Sequence, residues 1–137
     1  MRNEIDEKII NLLLNEGRMP INEIAKKCGS SEATVRNRIA SLIEKRVIIG
    51  YKARIRPGNG MAQIIIGIDV LPEEYVHIME ELKSNPDINE LYRTSGDHSM
   101  VAIANLSGKD PSLLIKDIEK INGVKKVFPA FVQEAVK

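Results

Sequence analysis

Ile21-Asn22-Glu23-Ile24-Ala25-Lys26-Lys27-Cys28-Gly29-Ser30-Ser31-Glu32-Ala33-Thr34-Val35-Arg36-Asn37-Arg38-Ile39 is the stretch that decides the fold. Behind Pro20, whose fixed φ suits a first helical turn, Ile21, Ile24 and Ala25 share one helical face, and Cys28-Gly29 supplies a stop. Ser31 then offers a side-chain oxygen to the unpaired amides of a new helix. In it Val35, Ile39 and Leu42 recur at i, i+4 and i+7, an inward stripe. A short helix, a tight glycine turn and a longer helix make a helix-turn-helix.

Working outward, Asn3 predicts the cap of a first helix running to about Asn15, with Asp6 and Glu7 in its opening turn. Ile5, Ile9, Leu12 and Leu13 form its apolar face, and Gly17 breaks it. On the other side, residues 47–55 (VIIGYKARI) alternate well enough for a strand or hairpin, the expected wing. Residues 57–60 (PGNG) read as a hinge, so the expected domains are residues 1–56 and 61–137.

Removing the buried stripe from the third helix leaves Ala33, Thr34, Asn37 and Ser41 opposite it, with Arg36 and Arg38 on the flanks. Small side chains let a helix sit deep in a major groove. Asn pairs bidentately with adenine, and Arg takes a guanine edge or a phosphate. A solvated helix face has the same composition, and that alternative stays open from this helix alone. Lys45, Arg46, Lys52, Arg54 and Arg56 follow in or near the wing, where backbone phosphates would lie.

Beyond the hinge the period changes. Ile64, Ile66, Ile68 and Val70 alternate as a strand. Pro72 opens a helix whose Tyr75, Ile78, Met79 and Leu82 share a face, and Pro86 ends that unit. A strand over residues 88–94, a turn at residues 95–98 and a strand over residues 100–106 follow. The order then repeats. Leu114, Ile118 and Ile121 give a second amphipathic helix stopped at Gly123, and residues 124–132 give a last strand. The second half is therefore βαββαβ, a split βαβ (ferredoxin-like) arrangement with both helices on one face of an antiparallel sheet. The fold class is α+β. The uncovered sheet face would expose apolar side chains from several strands, so a second copy should cover it in a two-fold dimer.

Charge separates the halves. Residues 1–57 hold 12 Lys and Arg against 7 Asp and Glu, whereas residues 58–137 hold 8 against 12. A basic half is the footprint of a phosphate-bearing partner. No apolar run approaches the roughly 20 residues needed to span a bilayer, and the polar start MRNE is unlike a signal peptide, so a cytoplasmic address is expected. Cys28 is the single cysteine, which excludes an internal disulfide. With only His77 and His98 beside it, no thiolate or imidazole zinc cluster assembles within one chain, and no cofactor is implied.

The segments IDEKII (5–10), Gly17-Arg18, Glu23-Ile24-Ala25, SEATVRNRI (31–39), VIIGY (47–51) and Gly96-Asp97 match, in order and spacing, the pattern of the Lrp/AsnC family of transcription regulators. The chain resembles that family over nearly its whole length. The resemblance implies a winged helix-turn-helix joined to a ferredoxin-like, or RAM, domain, assembly into dimers and frequently octamers, promoter DNA as partner and an amino-acid effector. In the family pattern the effector lodges at the Gly-Asp loop, which implicates Gly96, Asp97, His98 and Ser99. From the turn alone two readings are open: a ligand loop in which Asp97 takes an ammonium group, or a hairpin turn in which Asp97 caps its own backbone. Two positions depart from the pattern. Arg46 stands where relatives usually have Gly before Val-Ile, so the helix is expected to run on or end differently. His98 and Ser99 stand where relatives often carry an aromatic residue and a second acid, which points to a ligand with a polar side chain.

Enzyme classes are disfavoured. Asp97, His98 and Ser99 are hydrolytic residue types, but three consecutive residues at a turn cannot converge on one atom. His77, between Val76 and Ile78, has no partner in sequence reach. Two alternatives remain beside the regulator. A siroheme decarboxylase-like enzyme would need a His-Tyr pair that is lacking here. A ligand-independent DNA-compacting protein would lose affinity for all DNA in parallel as salt rises.

Overall fold

The structure, a computed structural model, describes residues 3–137. It divides into two compact units, one ending at Arg54 and the other beginning at Ile55.

The first unit is three helices: α1 (Glu4–Asn15), α2 (Ile21–Cys28) and α3 (Glu32–Glu44). Side chains start α1 and α3. Asn3 Oδ1 accepts from the Asp6 amide at 2.8 Å and Ser31 Oγ from the Thr34 amide at 3.1 Å, each cap worth about 1 kcal/mol. Helix α2 stops at Gly29 in the left-handed conformation, φ 63°. Ile9, Ile24, Val35 and Leu42 are buried at the centre, with Ala25 and Cys28 beside them. This core is small, so the helix termini and the ion pair described below carry a real share of its stability.

The expected wing strand does not form. Among the described residues no strand precedes Met61, and residues 49–56 run without regular structure. Val47, Ile48, Ile49 and Tyr51 instead line an apolar groove with Ile10, Leu13 and Leu14 of α1. The alternation was real, but a strand needs a ladder partner for its backbone groups, and among the described residues this segment forms no ladder. Residues 57–60, expected as a hinge, hold a tight turn. Gly58 and Met61 exchange both backbone hydrogen bonds, at 2.7 and 3.0 Å, across Asn59 and Gly60, both at positive φ.

The second unit contains β1 (Met61–Val70), a 3₁₀ turn at Pro72–Glu74 leading into α4 (Tyr75–Lys83), then β2 (Glu90–Arg93), β3 (Met100–Ser107), α5 (Pro111–Glu119) and β4 (Val124–Phe131). The antiparallel sheet has the order β2-β3-β1-β4. Ile64, Ile66 and Ile68 of β1 and Met100, Ala102 and Ala104 of β3 are fully buried in one core with Ile78 and Leu82 of α4 and Ile118 of α5. Strand β2 is shorter than expected. At its start the Asn89 side chain takes the Asn105 amide at 2.6 Å, where a ladder carbonyl would stand.

The other face of the sheet is uncovered. Register puts Ile65 between Ile103 and Ala130, and Gly67 between Val101 and Phe128, with Tyr92 opposite Val101 on the far strand. Ile65 and Tyr92 are 41% and 42% exposed, which marks an apolar face rather than scattered surface residues.

Candidate functional site

Ala33, Arg36, Asn37 and Ala40 are exposed along one face of α3, at i, i+3, i+4 and i+7, with Glu32, Ile43 and Glu44 exposed toward its ends. This face is rotated from the expected one. Thr34 and Ser41 are half-buried, and the Thr34 hydroxyl accepts from the Ser31 hydroxyl at 2.9 Å. Ala40 was missed by the sequence reading, although its spacing from Ala33, Arg36 and Asn37 was there to be read. Two alanines beside an arginine and an asparagine leave a face on which a helix can approach a groove floor closely.

Arg38, expected on the flank of that face, is half-buried and turned toward α1. Its Nε donates to Asp6 Oδ1 at 2.7 Å and its Nη2 to Asp6 Oδ2 at 2.6 Å, a bidentate pair linking α3 to α1. Asp6 is 3% exposed, so its charge needs this partner. The hydrogen bonds from Arg38 hold the Asp6 carboxyl below the usual carboxylate range against the opposing effect of burial, and the same bonds raise Arg38. We therefore remove Arg38 from the candidate DNA contacts and give it the task of fixing α3 against α1. The sequence hid this because Asp6 lies 32 residues away and read as a helix-dipole residue.

Arg46 corrects a second expectation. The helix neither runs on nor finds another ending. Arg46 adopts φ 58°, its amide donates to Ile43 at 3.0 Å and the Val47 amide to Leu42 at 2.9 Å. That is the hydrogen-bond pair of a glycine-type C-cap made without glycine, at a cost of about 1–2 kcal/mol. Lys45, the cap residue just before it, is exposed, as are Lys52, Arg54 and Arg56 beyond it, on backbone that forms no wing strand.

In the second unit, the loop 94–99 rims a depression of about 470 Å³ shared with Asp69, Val70, Tyr75 and Lys125. Gly96, with φ 107°, makes the turn, and Thr94 clamps the ends: its amide donates to the Ser99 carbonyl at 3.1 Å and its hydroxyl to the His98 carbonyl at 2.7 Å. All four predicted loop residues, Gly96, Asp97, His98 and Ser99, line the depression. Asp97 is exposed and His98 half-buried. The His98 ring lies over Gly67, where a Cβ would stand 2.5 Å from its Cδ2. There it packs on Phe128, centroids 4.6 Å apart, and its Nδ1 is 3.1 Å from Asp69 Oδ1. Asp69, Tyr75 and Lys125 were not among the expected site residues. They sit on β1, α4 and β4, and only the sheet register brings them to the loop.

The two histidines do not form a catalytic set. His98 is oriented by Asp69 and not by Asp97 or Ser99. His77, expected to lack a partner, has Glu81 one helical turn on, with Nε2 to Oε2 at 3.4 Å, both exposed. Among the described residues no group of His, Cys, Asp and Glu could hold a metal ion, and no helix is long and apolar enough to cross a membrane.

A basic three-helix unit with a solvent-facing third helix, followed by a split βαβ domain, is an architecture that suits a DNA-binding regulator. Comparison with known proteins agrees at the level of family. Residues 2–49 match the family model described as winged helix-turn-helix DNA-binding. The chain is 41% identical to the HTH-type transcriptional regulator LrpA of Pyrococcus horikoshii, with all of both chains covered. Its fold is similar to that of Escherichia coli AsnC, with a TM-score of 0.67, 22% identity and coverage of 100% of this chain and 95% of that one. It is equally similar to a Neisseria meningitidis transcriptional regulator solved as a complex with L-Met, with a TM-score of 0.67, 18% identity and coverage of 100% and 93%. The chain belongs to the Lrp/AsnC family of transcription regulators, and its first unit is a DNA-binding helix-turn-helix.

Proposed function

We propose that this protein reads specific promoter sequences through α3 and that a small metabolite bound beside the loop 94–99, an amino acid by chemistry, modulates its assembly or DNA affinity. One observation carries the effector half: a glycine turn and an exposed carboxylate, Asp97, rim a depression within the 300–1,000 Å³ range of ligand sites. The L-Met complex of the Neisseria regulator supports amino-acid binding on this fold. For DNA, Asn37 and Arg36 take the base-reading and phosphate roles, with Ala33 and Ala40 allowing close approach. Lys52 and Arg54, exposed after α3, take backbone phosphates in this reading. The uncovered sheet face pairs with a second copy, and the dimer presents two copies of α3 to a pseudo-palindromic site. Domain roles follow the units: DNA binding in the one ending at Arg54, ligand binding and assembly in the one beginning at Ile55.

The test is selection of bound genomic fragments with and without a panel of amino acids, paired with calorimetry on wild type and Asp97→Ala. A fragment set that one amino acid shifts, and an affinity for it that Asp97→Ala loses, are expected. A fragment set without sequence preference would instead assign the protein to DNA compaction.

A further inference from the structure

The depression beside the loop 94–99 has an uneven charge, and the imbalance names a ligand class. Val70 and the Tyr75 ring contribute its carbon surface, while the loop contributes hydroxyls and backbone. Its fixed charges are the Asp69 and Asp97 carboxylates and the Lys125 ammonium. An α-amino acid brings one carboxylate and one ammonium group. Lys125 and Asp97 are the complementary pair for these, which leaves Asp69.

Among the described residues Asp69 has a hydrogen-bonding partner at Oδ1 alone: Lys126 stands across the strand pair from it, but makes no ion pair with it and has its Nζ over the Phe128 ring. Imidazole Nδ1 donates one hydrogen bond to Oδ1 and leaves the carboxylate its full charge and its second oxygen. The ring cannot easily swing elsewhere. It is seated on Gly67, where no side chain could stand, and packs against Phe128, over whose ring Lys126 Nζ lies 4.8 Å from the centroid. His98 thus works as a positioning residue, aiming Asp69 at the depression instead of competing for its second oxygen.

We propose that the ligand of this depression is a basic α-amino acid: one carboxylate for Lys125, an α-ammonium for Asp97, and a side-chain ammonium or guanidinium for Asp69. This rests on the effector reading above. It also excludes large aliphatic side chains as the preferred class, because the lining offers them little carbon surface and they would desolvate the second oxygen of Asp69 without pairing it.

The experiment is calorimetry at neutral pH on the full chain with L-lysine, L-arginine, L-glutamine, L-leucine and L-methionine, repeated on Asp69→Asn, Asp97→Ala and Lys125→Ala. Circular dichroism and light scattering verify that each variant keeps its fold and assembly. Lysine or arginine is expected to bind at least about tenfold more tightly than glutamine, a neutral side chain of similar reach. Asp69→Asn should erase that ratio while glutamine binding persists, Lys125→Ala should weaken all ligands and keep the ratio, and Asp97→Ala should remove binding altogether. Should Asp69→Asn fail to fold, the ratio in wild type and Lys125→Ala decides. Tighter leucine or methionine binding that Asp97→Ala abolishes would overturn the ligand class and leave the site standing. Binding untouched by Asp97→Ala, or no binding at millimolar ligand, would overturn both.

Discussion

Asp6 and Arg38 form a two-point contact, 2.7 and 2.6 Å, between the first turn of α1 and the middle of α3. Asp6 is buried while the Arg38 side chain keeps 30% of its surface, so the pair closes the edge of the first unit's small core. Two parallel hydrogen bonds fix rotation as well as distance. They set which side of α3 faces solvent, and so bring Ala33, Arg36, Asn37 and Ala40 outward. A stability contact thereby becomes a determinant of the surface proposed to bind DNA.

Asp6→Ala should destabilise the first unit by about 2 kcal/mol, the worth of hydrogen bonds to a charged group. The pH dependence has a definite sign. A carboxyl whose pKa is lowered by folding stabilises the folded state above its unfolded value, near 3.8, and that contribution is lost as pH falls through the lowered native value. Urea unfolding of wild type should therefore be flat from neutral to mildly acidic pH and weaken in strong acid. Asp6→Asn should start lower and fall less steeply. Asp110, lowered by its amide and hydroxyl bonds from Ser112, adds a slope of the same sign that Asp6→Asn leaves in place. An unchanged acid slope in Asp6→Asn would refute the assignment.

Arg46→Gly should stabilise the protein by about 1 kcal/mol. Glycine removes the left-handed penalty of about 1–2 kcal/mol, and its greater freedom in the unfolded chain returns part of that. Arg46→Ala keeps the penalty and is the control. Denaturant midpoints at constant slope would give the answer, and equal midpoints for the two variants would show that the backbone at position 46 carries no strain.

The local signals were legible where chain neighbours decide the structure. Asn3 and Ser31 cap the helices expected of them, Gly29 ends α2, and the alternation of Ile64, Ile66, Ile68 and Val70 gives the buried face of β1. The Arg46 cap and the His77–Glu81 pair were local and could have been read, whereas three other misreadings share one physical cause, contacts distant in sequence. Alternation over residues 47–55 carries no information about whether a ladder partner exists. The helical wheel of α3 could not know that Asp6 would draw Arg38 inward and turn the exposed face. The loop 95–99 was visible as a turn, but Asp69, Tyr75 and Lys125 join it only through a sheet register that no local pattern encodes.

Asn37→Ala should relax base preference, at a cost of about 1–3 kcal/mol of discrimination at one position per half-site. Arg36→Ala should weaken binding to all sequences and reduce the salt slope by about 1, if it holds a phosphate. Arg38→Ala was expected from the sequence to act in the same way. The Asp6 contact changes that expectation: its DNA-binding loss should track the loss of stability and be matched by Asp6→Ala. Binding titrations over a range of salt separate the cases. An Asn37→Ala protein with unchanged affinity and unchanged site preference would refute α3 as the reading helix.

Ile65→Glu tests the uncovered sheet face as the dimer interface. Ile65 lies at the centre of that face, between Ile103 on β3 and Ala130 on β4, and is 41% exposed in the single chain. In a monomer, a glutamate here would be solvated and cost little, because surface substitutions stay within about 0.5 kcal/mol. In a dimer across this face the same carboxylate would meet its symmetry mate in apolar surroundings, with no cation paired to it by register. Light scattering of wild type at micromolar concentration should report a dimer or a multiple of dimers, and Ile65→Glu should shift it toward smaller species. Circular dichroism should stay unchanged, since Ile65 faces away from the helix-side core. DNA affinity should fall with it, because a monomer presents one α3 where the site has two halves. Wild type that remains monomeric, or an Ile65→Glu assembly identical to it, would mean that the apolar face is covered in some other way.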